Sequence, residues 1–371
     1  MADQEGRGGL CTPTRWRLIA SGMLLAACSL LVLLFERFGE ALSGGYRPFS
    51  KGLLSLQATV ASVAPFALWD FLVVGFALAA LFTLVRRVVR RRPLLPWLSV
   101  VLLVSSATLF LFVSGWALNH YAPSLANEIG LEVGAYTDDE LAAATRHYLE
   151  RAAALAPSVP RGEDGELLRQ DFYELARIAG GSYRELSESY GIFEGSQAPV
   201  KALLLLGEPL LLSGHVGIFF SPTGESSVPV NCAVADLPFT MCHEAAHRLA
   251  IAREQEANFA AFLACTTSDD VRFSYSGYYS AFSFCYGALR RSDPDRAARL
   301  LDEVRTSGLD AGVGLVLADL VATGRHYDAY EGWFGRIGSA VNDGYLRSFG
   351  EREGVKSYGL VVDYLIAWDR R

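Results

Sequence analysis

The chain has 371 residues, 51% of them hydrophobic, and a formal net charge of −7. Residues 1–120 carry 11 Lys and Arg against 5 Asp and Glu, whereas residues 121–371 carry 22 against 35, a net of −13. This acidic second part excludes a nucleic-acid surface as the expected function, because phosphate backbones bind basic proteins. Residues 121–371 are numerous enough for one domain with its own hydrophobic core.

Three apolar stretches occupy the first 120 residues, which we assign as an N-terminal tail and three transmembrane helices. The stretches run from Leu18 to Phe35, from about Thr59 to Val85 and from Leu94 to Leu118. Each is about as long as the 17–25 residues that a spanning helix needs. A cleaved signal peptide is the alternative for the first, but two later spans favour an uncleaved anchor. Asp70 interrupts the second span, and we expect it to have an interfacial or helix-packing role.

Basic residues predict how these spans are oriented. The short link between the second and third spans contains five arginines, at positions 86, 87, 90, 91 and 92. Short loops rich in Lys and Arg stay in the cytoplasm, so this link and the N-terminus are both expected there. Residues 121–371 then form an extracytoplasmic domain, and the lipid bilayer is one expected partner.

Several helices are predicted in residues 121–371. Thr137 is a candidate N-cap followed by three acidic residues, which indicates a helix that ends before Pro157. Further helices are expected at about 166–190, with a break at Gly180-Gly181, and at 295–305, 312–323 and 360–368. A helix from Phe273 carries aromatic residues that we expect in the core.

Two short strands are also predicted. Ile218–Phe220 and Val228–Asn231 flank a turn at residues 221–224, and Pro229 indicates that the second strand lies at a sheet edge. The predicted fold is therefore a multi-pass α-helical membrane anchor with three spans, followed by a mainly helical α+β domain with a small sheet.

The motif that carries most chemistry is His243-Glu244-Ala245-Ala246-His247. Two histidines four apart lie on one face of a helix, so both imidazoles can reach one zinc ion. The glutamate lies beside that ion, where it can take a proton from the attacking water. Six histidines in the chain make a chance HExxH match rare. A family remnant that no longer binds metal is the alternative.

A third protein ligand is expected shortly after the motif. Glu254 and Asn258 are four apart and share a helix face, whereas Glu256 points to nearly the opposite side from Glu254. The pair resembles the ExxA[DN] pattern of glutamate-zincins, in which the glutamate binds zinc and the Asp or Asn supports a ligand histidine. The resemblance implies Glu254 as the ligand and Asn258 as the support, with Glu256 as the rival ligand.

These assignments require a turn between the two helices. In one straight helix, His247 and Glu254 would be about 10 Å apart along the axis and could not share a metal ion. The chain must therefore turn between Arg248 and Arg253, although no Gly or Pro there indicates a turn.

Four cysteines lie in the second part of the chain, at positions 232, 242, 265 and 285. An extracytoplasmic location permits two disulfides, with three possible pairings. A Cys242–Cys265 bridge would join the two helices that carry the expected ligands. Buried free thiols are the alternative.

These motifs resemble a bacterial membrane family known as domain of unknown function 3810. The resemblance covers the three spans and the segments Leu237–His247, Ala252–Phe259, Tyr275–Tyr278 and Gly354–Asp363. It implies a gluzincin-like, membrane-anchored zinc metallopeptidase in the bacterial cell membrane. The family pattern has glycine at the position of Ala250, where glycine would favour a left-handed turn.

The expected activity is thus hydrolysis of peptide bonds in a peptide or protein substrate of the cell envelope. His243, His247 and Glu254 would hold Zn²⁺, Glu244 would act as general base, and Tyr358 or Lys356 is a candidate to stabilise the oxyanion. The alternative is a non-catalytic metal-binding or interaction module that regulates an envelope partner. An intact Glu244 argues against that module, because a structural zinc does not need this carboxylate.

Overall fold

The computed structural model describes residues 12–349 and 360–371, in which the chain is mostly helical with three short strands. The first eight helices are α1 Thr12–Ala61, α2 Leu68–Val89, α3 Leu95–Gly115, α4 Leu125–Ile129, α5 Asp138–Leu155, α6 Phe172–Gly181, α7 Arg184–Ser189 and α8 Gly207–Leu212. The remainder are α9 Leu237–Arg248, α10 Glu254–Thr266, α11 Val271–Ser292, α12 Pro294–Val304, α13 Asp310–Asp328, α14 Trp333–Ser348 and α15 Val361–Asp369.

Among the described residues, four helical segments are long and apolar enough to cross a membrane, judged by length and composition. They are Thr12–Ala61, Leu68–Val89, Leu95–Tyr121 and Pro294–Asp328. The first three overlap the predicted spans, but the second helix begins later than expected. Thr59 belongs to the end of α1, and Pro65 lies in the turn that separates α1 from α2. Proline there ends the helical pattern because it lacks a backbone N–H.

Helix α1 has 50 residues and is interrupted at one point. Phe38 has φ −130° and ψ 17°, outside helical values, so the helix bends there. We call residues 39–61 the distal part of α1. Its buried residues include Ser50, Leu54 and Ala58, and the Ser50 hydroxyl donates to the Gly115 carbonyl at the end of α3 (2.7 Å). The distal part therefore packs on the rest of the molecule.

The sheet has the strand order β1-β3-β2, where β1 is Lys201–Leu203, β2 is Ile218–Phe220 and β3 is Glu225–Pro229. β3 is parallel to β1 and antiparallel to β2. The expectation that Pro229 places its strand at an edge is wrong, since β3 is central. Pro229 is the last residue of β3, opposite Leu203, and a strand can end at the residue that lacks a donor.

The turn between α1 and α2 is bound to this sheet by three buried charged side chains. Lys201 donates to the carbonyls of Ala61 and Ala64. Glu225 accepts from the backbone N–H groups of Leu68 (2.8 Å) and Trp69 (3.1 Å) at the start of α2. These charges complement the orphan carbonyl and N–H groups at helix ends.

Asp70 completes this arrangement. Its carboxylate accepts from the backbone N–H groups of Leu204, Leu205 and Leu206, at 2.9, 2.8 and 2.9 Å. The expectation was an interfacial or helix-packing role, and the structure shows a buried carboxylate that binds the segment before α8. We call Lys201, Glu225 and Asp70 the α1–α2 junction.

A large hydrophobic core lies outside α1, α2 and α3. Helices α5, α9, α10 and α11 pack around Tyr148, Phe259, Phe273 and Phe282, all fully buried. Burial of large aromatic side chains is the main stabilising contribution in such a core. The aromatic residues of α11 therefore lie in the core, as expected.

The other predicted elements are present with differences. The capping box of Thr137 and Glu140 starts α5, and the break near Gly180-Gly181 separates α6 from α7. The expected start of α6 at Glu166 is wrong, because Asp171 caps the helix by accepting from the Glu174 N–H (2.7 Å). Strand β1 and helices α8 and α14 were not predicted.

Candidate metal centre

Helix α9 carries the HExxH motif and ends in a left-handed turn. Ala250 has φ 63°, the region that favours glycine. The Ala250 N–H donates to the His247 carbonyl (3.0 Å), and the Ile251 N–H donates to the Ala246 carbonyl (3.3 Å). This hydrogen-bond pattern is the Schellman motif. The turn lies where the ligand assignment required it, and an alanine adopts the conformation.

This turn brings three possible ligands together. The Nε2 atoms of His243 and His247 are 3.1 Å apart. Glu254 Oε2, at the start of α10, is 3.2 Å from His243 Nε2 and 3.7 Å from His247 Nε2. All three residues are largely buried. We call His243, His247 and Glu254 the His-His-Glu cluster.

These distances fit a tetrahedral metal ion. Zinc bonds of about 2.0–2.1 Å at tetrahedral angles separate neighbouring ligand atoms by about 3.3 Å. The three separations in the cluster lie between 3.1 and 3.7 Å. Two imidazoles and one carboxylate are also a donor set that zinc accepts.

Each histidine is held by its other ring nitrogen. His247 Nδ1 donates to the Ile251 carbonyl (2.8 Å), which can only accept, so the proton of the neutral ring is on Nδ1. His243 Nδ1 lies 2.9 Å from Asn258 Oδ1, an arrangement that places a proton on Nδ1 there too. Both Nε2 atoms can then offer a lone pair to a metal ion.

The cluster is also an ion pair in the absence of a metal. Burial acts to lower the pKa of His247, but the Glu254 carboxylate outweighs burial and raises this pKa to about 9. Burial acts to raise the pKa of Glu254, but the two imidazoles outweigh it and hold this pKa well below its usual range. His247 and Glu254 therefore also stabilise one another as histidinium and carboxylate.

Glu244 lies beside the cluster and is buried. Its Oε2 atom has no hydrogen-bond partner among the described residues. Burial raises the pKa of Glu244 to about 7, although both histidines act to lower it. Gly217, just before β2, lies against this side chain, and a Cβ there would collide with Oε1. The arrangement gives a buried carboxyl with an unsatisfied oxygen and a pKa near neutrality, as a general base requires.

The rival ligand Glu256 lies outside the cluster. Its Oε1 accepts from Arg253 Nη1 (2.9 Å) and from the Tyr364 hydroxyl (3.3 Å). The structure thus brings Glu254, and not Glu256, to the two histidines. Lys356 and Tyr358, the candidates for oxyanion stabilisation, lie outside the described residues.

Sequence reasoning missed two residues of the site. Trp116, at the end of α3, donates from Nε1 to the His247 carbonyl (2.8 Å), and its ring meets the His247 ring edge-on with centroids 5.7 Å apart. Gly217 was also missed. Only the position of Trp116 at the end of an apolar stretch distinguishes it in the sequence, and nothing distinguishes Gly217.

The cysteines that the structure describes are all free, and Cys242 and Cys265 are buried. Burial raises the pKa of the Cys265 thiol, and the neighbouring Cys242 thiol raises it further. Of the two alternatives for this pair, a disulfide bridge or buried free thiols, the structure has the free thiols.

Fold and site together define a mostly helical protein with several long apolar helices, consistent with membrane association, and a buried His-His-Glu cluster. The chain belongs to the family described as Protein of unknown function (DUF3810), whose model matches residues 46–366. No curated protein and no solved structure matches the chain.

Proposed function

We propose that this protein is a membrane-anchored, zinc-dependent metallopeptidase that hydrolyses peptide bonds outside the cytoplasm. One observation carries the proposal: a buried carboxyl with an unpartnered oxygen, Glu244 Oε2, lies beside a cluster whose ligand separations suit zinc. A cluster that only stabilised the fold would not need an unsatisfied buried carboxyl next to it, because such a group is destabilising.

His243, His247 and Glu254 would hold the zinc, with Asn258 and the Ile251 carbonyl fixing the two rings. When bound, zinc acts as a Lewis acid that makes water a nucleophile near neutral pH. Glu244 takes the proton of the attacking water on a carboxylate oxygen and later delivers it to the leaving amine. Burial around Glu244 excludes bulk water that would compete for this proton.

The anchoring part of the proposal assigns three spans: residues of α1 before Phe38, then α2 and α3. The fourth apolar segment, α12–α13, is assigned to the extracytoplasmic domain because of its partners. Asp319 of α13 is buried and pairs with Arg161 (2.7 Å), which lies in a loop of that domain. The arginine-rich link between α2 and α3 supports a location of the His-His-Glu cluster outside the cytoplasm.

Topology is tested with a reporter that is active only outside the cytoplasm. Fused at the C-terminus it should be active, and fused at Arg91 it should be silent. The reverse pattern would place the cluster in the cytoplasm and overturn this part of the proposal.

Catalysis is tested by Glu244→Gln, with Glu256→Gln as the matched control. Both replace a buried glutamate near the cluster by its amide, but only Glu244 would transfer a proton. Glu244→Gln should keep stoichiometric zinc and lose nearly all hydrolysis of a peptide library, whereas Glu256→Gln should keep both. Equal cleavage by wild type and Glu244→Gln at matched zinc content would contradict the mechanism.

The ligand set is tested by zinc analysis of the purified protein. Glu254→Ala should abolish stoichiometric zinc, and Glu256→Ala should retain it. Loss of zinc from Glu256→Ala alone would show that the third ligand is wrongly assigned.

The second candidate function is a non-catalytic module that binds an envelope partner. One observation favours it: the His-His-Glu cluster also forms a buried ion pair without metal. A zinc-loaded protein that cleaves nothing in the library, together with identical envelope proteomes from cells carrying wild type or Glu244→Gln, would favour this module.

A further inference from the structure

The distal part of α1 has two opposite faces. One face, with Ser50, Leu54 and Ala58, is buried. The other carries Phe49, Leu56 and Val60, which expose 59%, 64% and 64% of their surface. These three residues recur at intervals of seven and four, so they form one stripe along the helix. A soluble helix normally exposes polar residues on the side away from the core, and this one exposes large apolar residues.

Helix α14 repeats this arrangement. Trp333, Ile337 and Val341 form a stripe at intervals of four and expose 65%, 51% and 68% of their surface. Arg336 and Arg347 lie on a different side of the same helix. Tryptophan in an apolar stripe flanked by basic residues is typical of a helix that lies in the plane of a membrane surface. We call these two stripes the apolar belt.

Contacts place one end of each helix at the end of α3. At the start of the distal part of α1, a Cβ at Gly39 would collide with Tyr121, just after the end of α3. At the C-terminal end of α14, the rings of Tyr345 and Phe349 both lie 6.0 Å from Phe112 of α3.

The other end of each helix lies near the start of α2. The distal part of α1 ends at Ala61, one short turn before Leu68. The first half of α14 packs on the end of α8, where a Cβ at Gly338 would collide with the Ser213 carbonyl. α8 follows Leu204–Leu206, whose N–H groups bind Asp70 of α2. Both helices therefore extend from the outer end of one proposed span toward that of another.

Lengths give an independent argument for the distal part of α1. The 22 residues of α2 measure about 33 Å, close to the thickness of the hydrocarbon core, so α2 must begin at the outer boundary in order to cross it. The span part of α1 ends at this boundary too, at the bend. The distal part of α1 thus begins and ends at the membrane surface, and it runs along that surface.

We infer that the apolar belt lies in the outer interfacial layer of the bilayer, so that lipid acyl chains and headgroups cover the exposed stripes of α1 and α14. This inference rests on the three proposed spans and not on catalysis. The belt is continuous with those spans, and this continuity identifies lipid as its partner. A second copy of the chain is the competing partner.

Photo-crosslinking of the full-length chain in phosphatidylethanolamine–phosphatidylglycerol vesicles tests the inference. A photoreactive phenylalanine analogue replaces Leu56 or Val341 in the belt, Phe82 in α2 as the reference for lipid contact, or Val321 in α13 as the matched control. Val321 is also an exposed valine on a helix, with 51% of its surface accessible. Mass spectrometry then measures lipid adducts at each position.

Belt positions should give lipid adduct yields close to that of position 82 and several-fold above that of position 321. Yields equal to that of position 321 would overturn the inference, and so would adducts between two protein chains in place of lipid adducts. If position 82 itself gives no lipid adducts, the proposed spans are wrong and the belt inference is overturned with them. None of these outcomes depends on zinc or on hydrolysis, so a failure of the belt is distinguishable from a failure of the proposed activity.

Discussion

The α1–α2 junction and the metal centre both bury charged side chains, but they differ in how many of the buried polar atoms have hydrogen-bond partners. At the junction, the carboxylates of Asp70 and Glu225 each accept two or three backbone N–H groups. At the metal centre, Glu244 Oε2 and the side-chain nitrogen of Asn258 lack partners among the described residues. Buried charges that stabilise a fold are satisfied by the fold, whereas the unsatisfied atoms beside the cluster are those expected of a site that acts on other molecules.

The largest expected effect is at the junction. Asp70→Ala leaves three backbone N–H groups without an acceptor and should lower the free energy of unfolding by about 3 kcal/mol or more. Asp70→Asn keeps one acceptor oxygen and should lower the free energy of unfolding by less. Thermal unfolding in detergent measures both variants. An Asp70→Ala protein as stable as wild type would remove the contrast between the two regions.

In metal-free protein, Glu244→Gln should raise the free energy of unfolding, whereas Asp70→Ala should lower it. The pKa of Glu244 is raised from 4.5 to about 7, so its ionisation favours the unfolded state. Below pH 4.5 this carboxyl is protonated in both states and does not lower the free energy of unfolding. As the pH rises from 4.5 to about 7, it ionises first in the unfolded state, and the free energy of unfolding falls. The amide should therefore stabilise the protein by roughly 1–3 kcal/mol at pH 8 and have little effect at pH 4.

Unfolding of wild type and Glu244→Gln across pH 4–8 in chelator measures this difference. Glu225→Gln is the control at the junction and should destabilise the protein. Its amide keeps one acceptor oxygen, whereas Glu225 uses two oxygens for the N–H groups of Leu68 and Trp69. Destabilisation by both variants would mean that Glu244 is as well satisfied as Glu225.

Asn258→Ala tests the support of the cluster. Loss of its contact with His243 Nδ1 frees the ring, and zinc affinity should fall about 10–100-fold, as with other groups that orient ligand histidines. Titration against a competing chelator gives the affinity. Unchanged affinity would exclude Asn258 from a role at the site.

The smallest expected effect concerns the left-handed turn. Ala250→Gly removes the Cβ at φ 63° and should stabilise the protein by about 0.5–1 kcal/mol. Ala252→Gly, at a nearby buried position without positive φ, is the control and should destabilise. A lower unfolding midpoint for Ala250→Gly would show that packing of the Ala250 methyl outweighs its conformation.

Local features of the site could be predicted from the sequence. His243 and His247 share a helix face, Glu254 and Asn258 share another, and the geometry required a turn between them. The contacts of Trp116 and Gly217 could not be predicted, because they join segments more than a hundred and about thirty residues apart. The edge position predicted from Pro229 was wrong for a related reason. The effect of a proline on a strand depends on whether it lies within the hydrogen-bonded ladder or at the end of the strand.

In the apolar part, periodicity located the helices but not the bend at Phe38 or the extent of α1. The first apolar stretch ends at Phe35, and the Gly44-Gly45 pair and Pro48 beyond it disfavour a helix that the structure nevertheless continues to Ala61. Helix α14 was missed because Gly335, Gly338 and Gly344 lower its predicted helix propensity.

Under the proposed function, the hydrogen bond from Trp116 to the His247 carbonyl has a consequence for the choice of substrate. It places the candidate metal centre at the very end of α3, so that a polypeptide tethered in the same bilayer would meet the centre at a high effective concentration. A flexible tether of n residues reaches about 5–6 Å × √n, and even a short one would suffice. A freely diffusing protein has no such advantage. Under the proposed activity, proximity to the membrane, more than a binding pocket, would then decide which chains are cut.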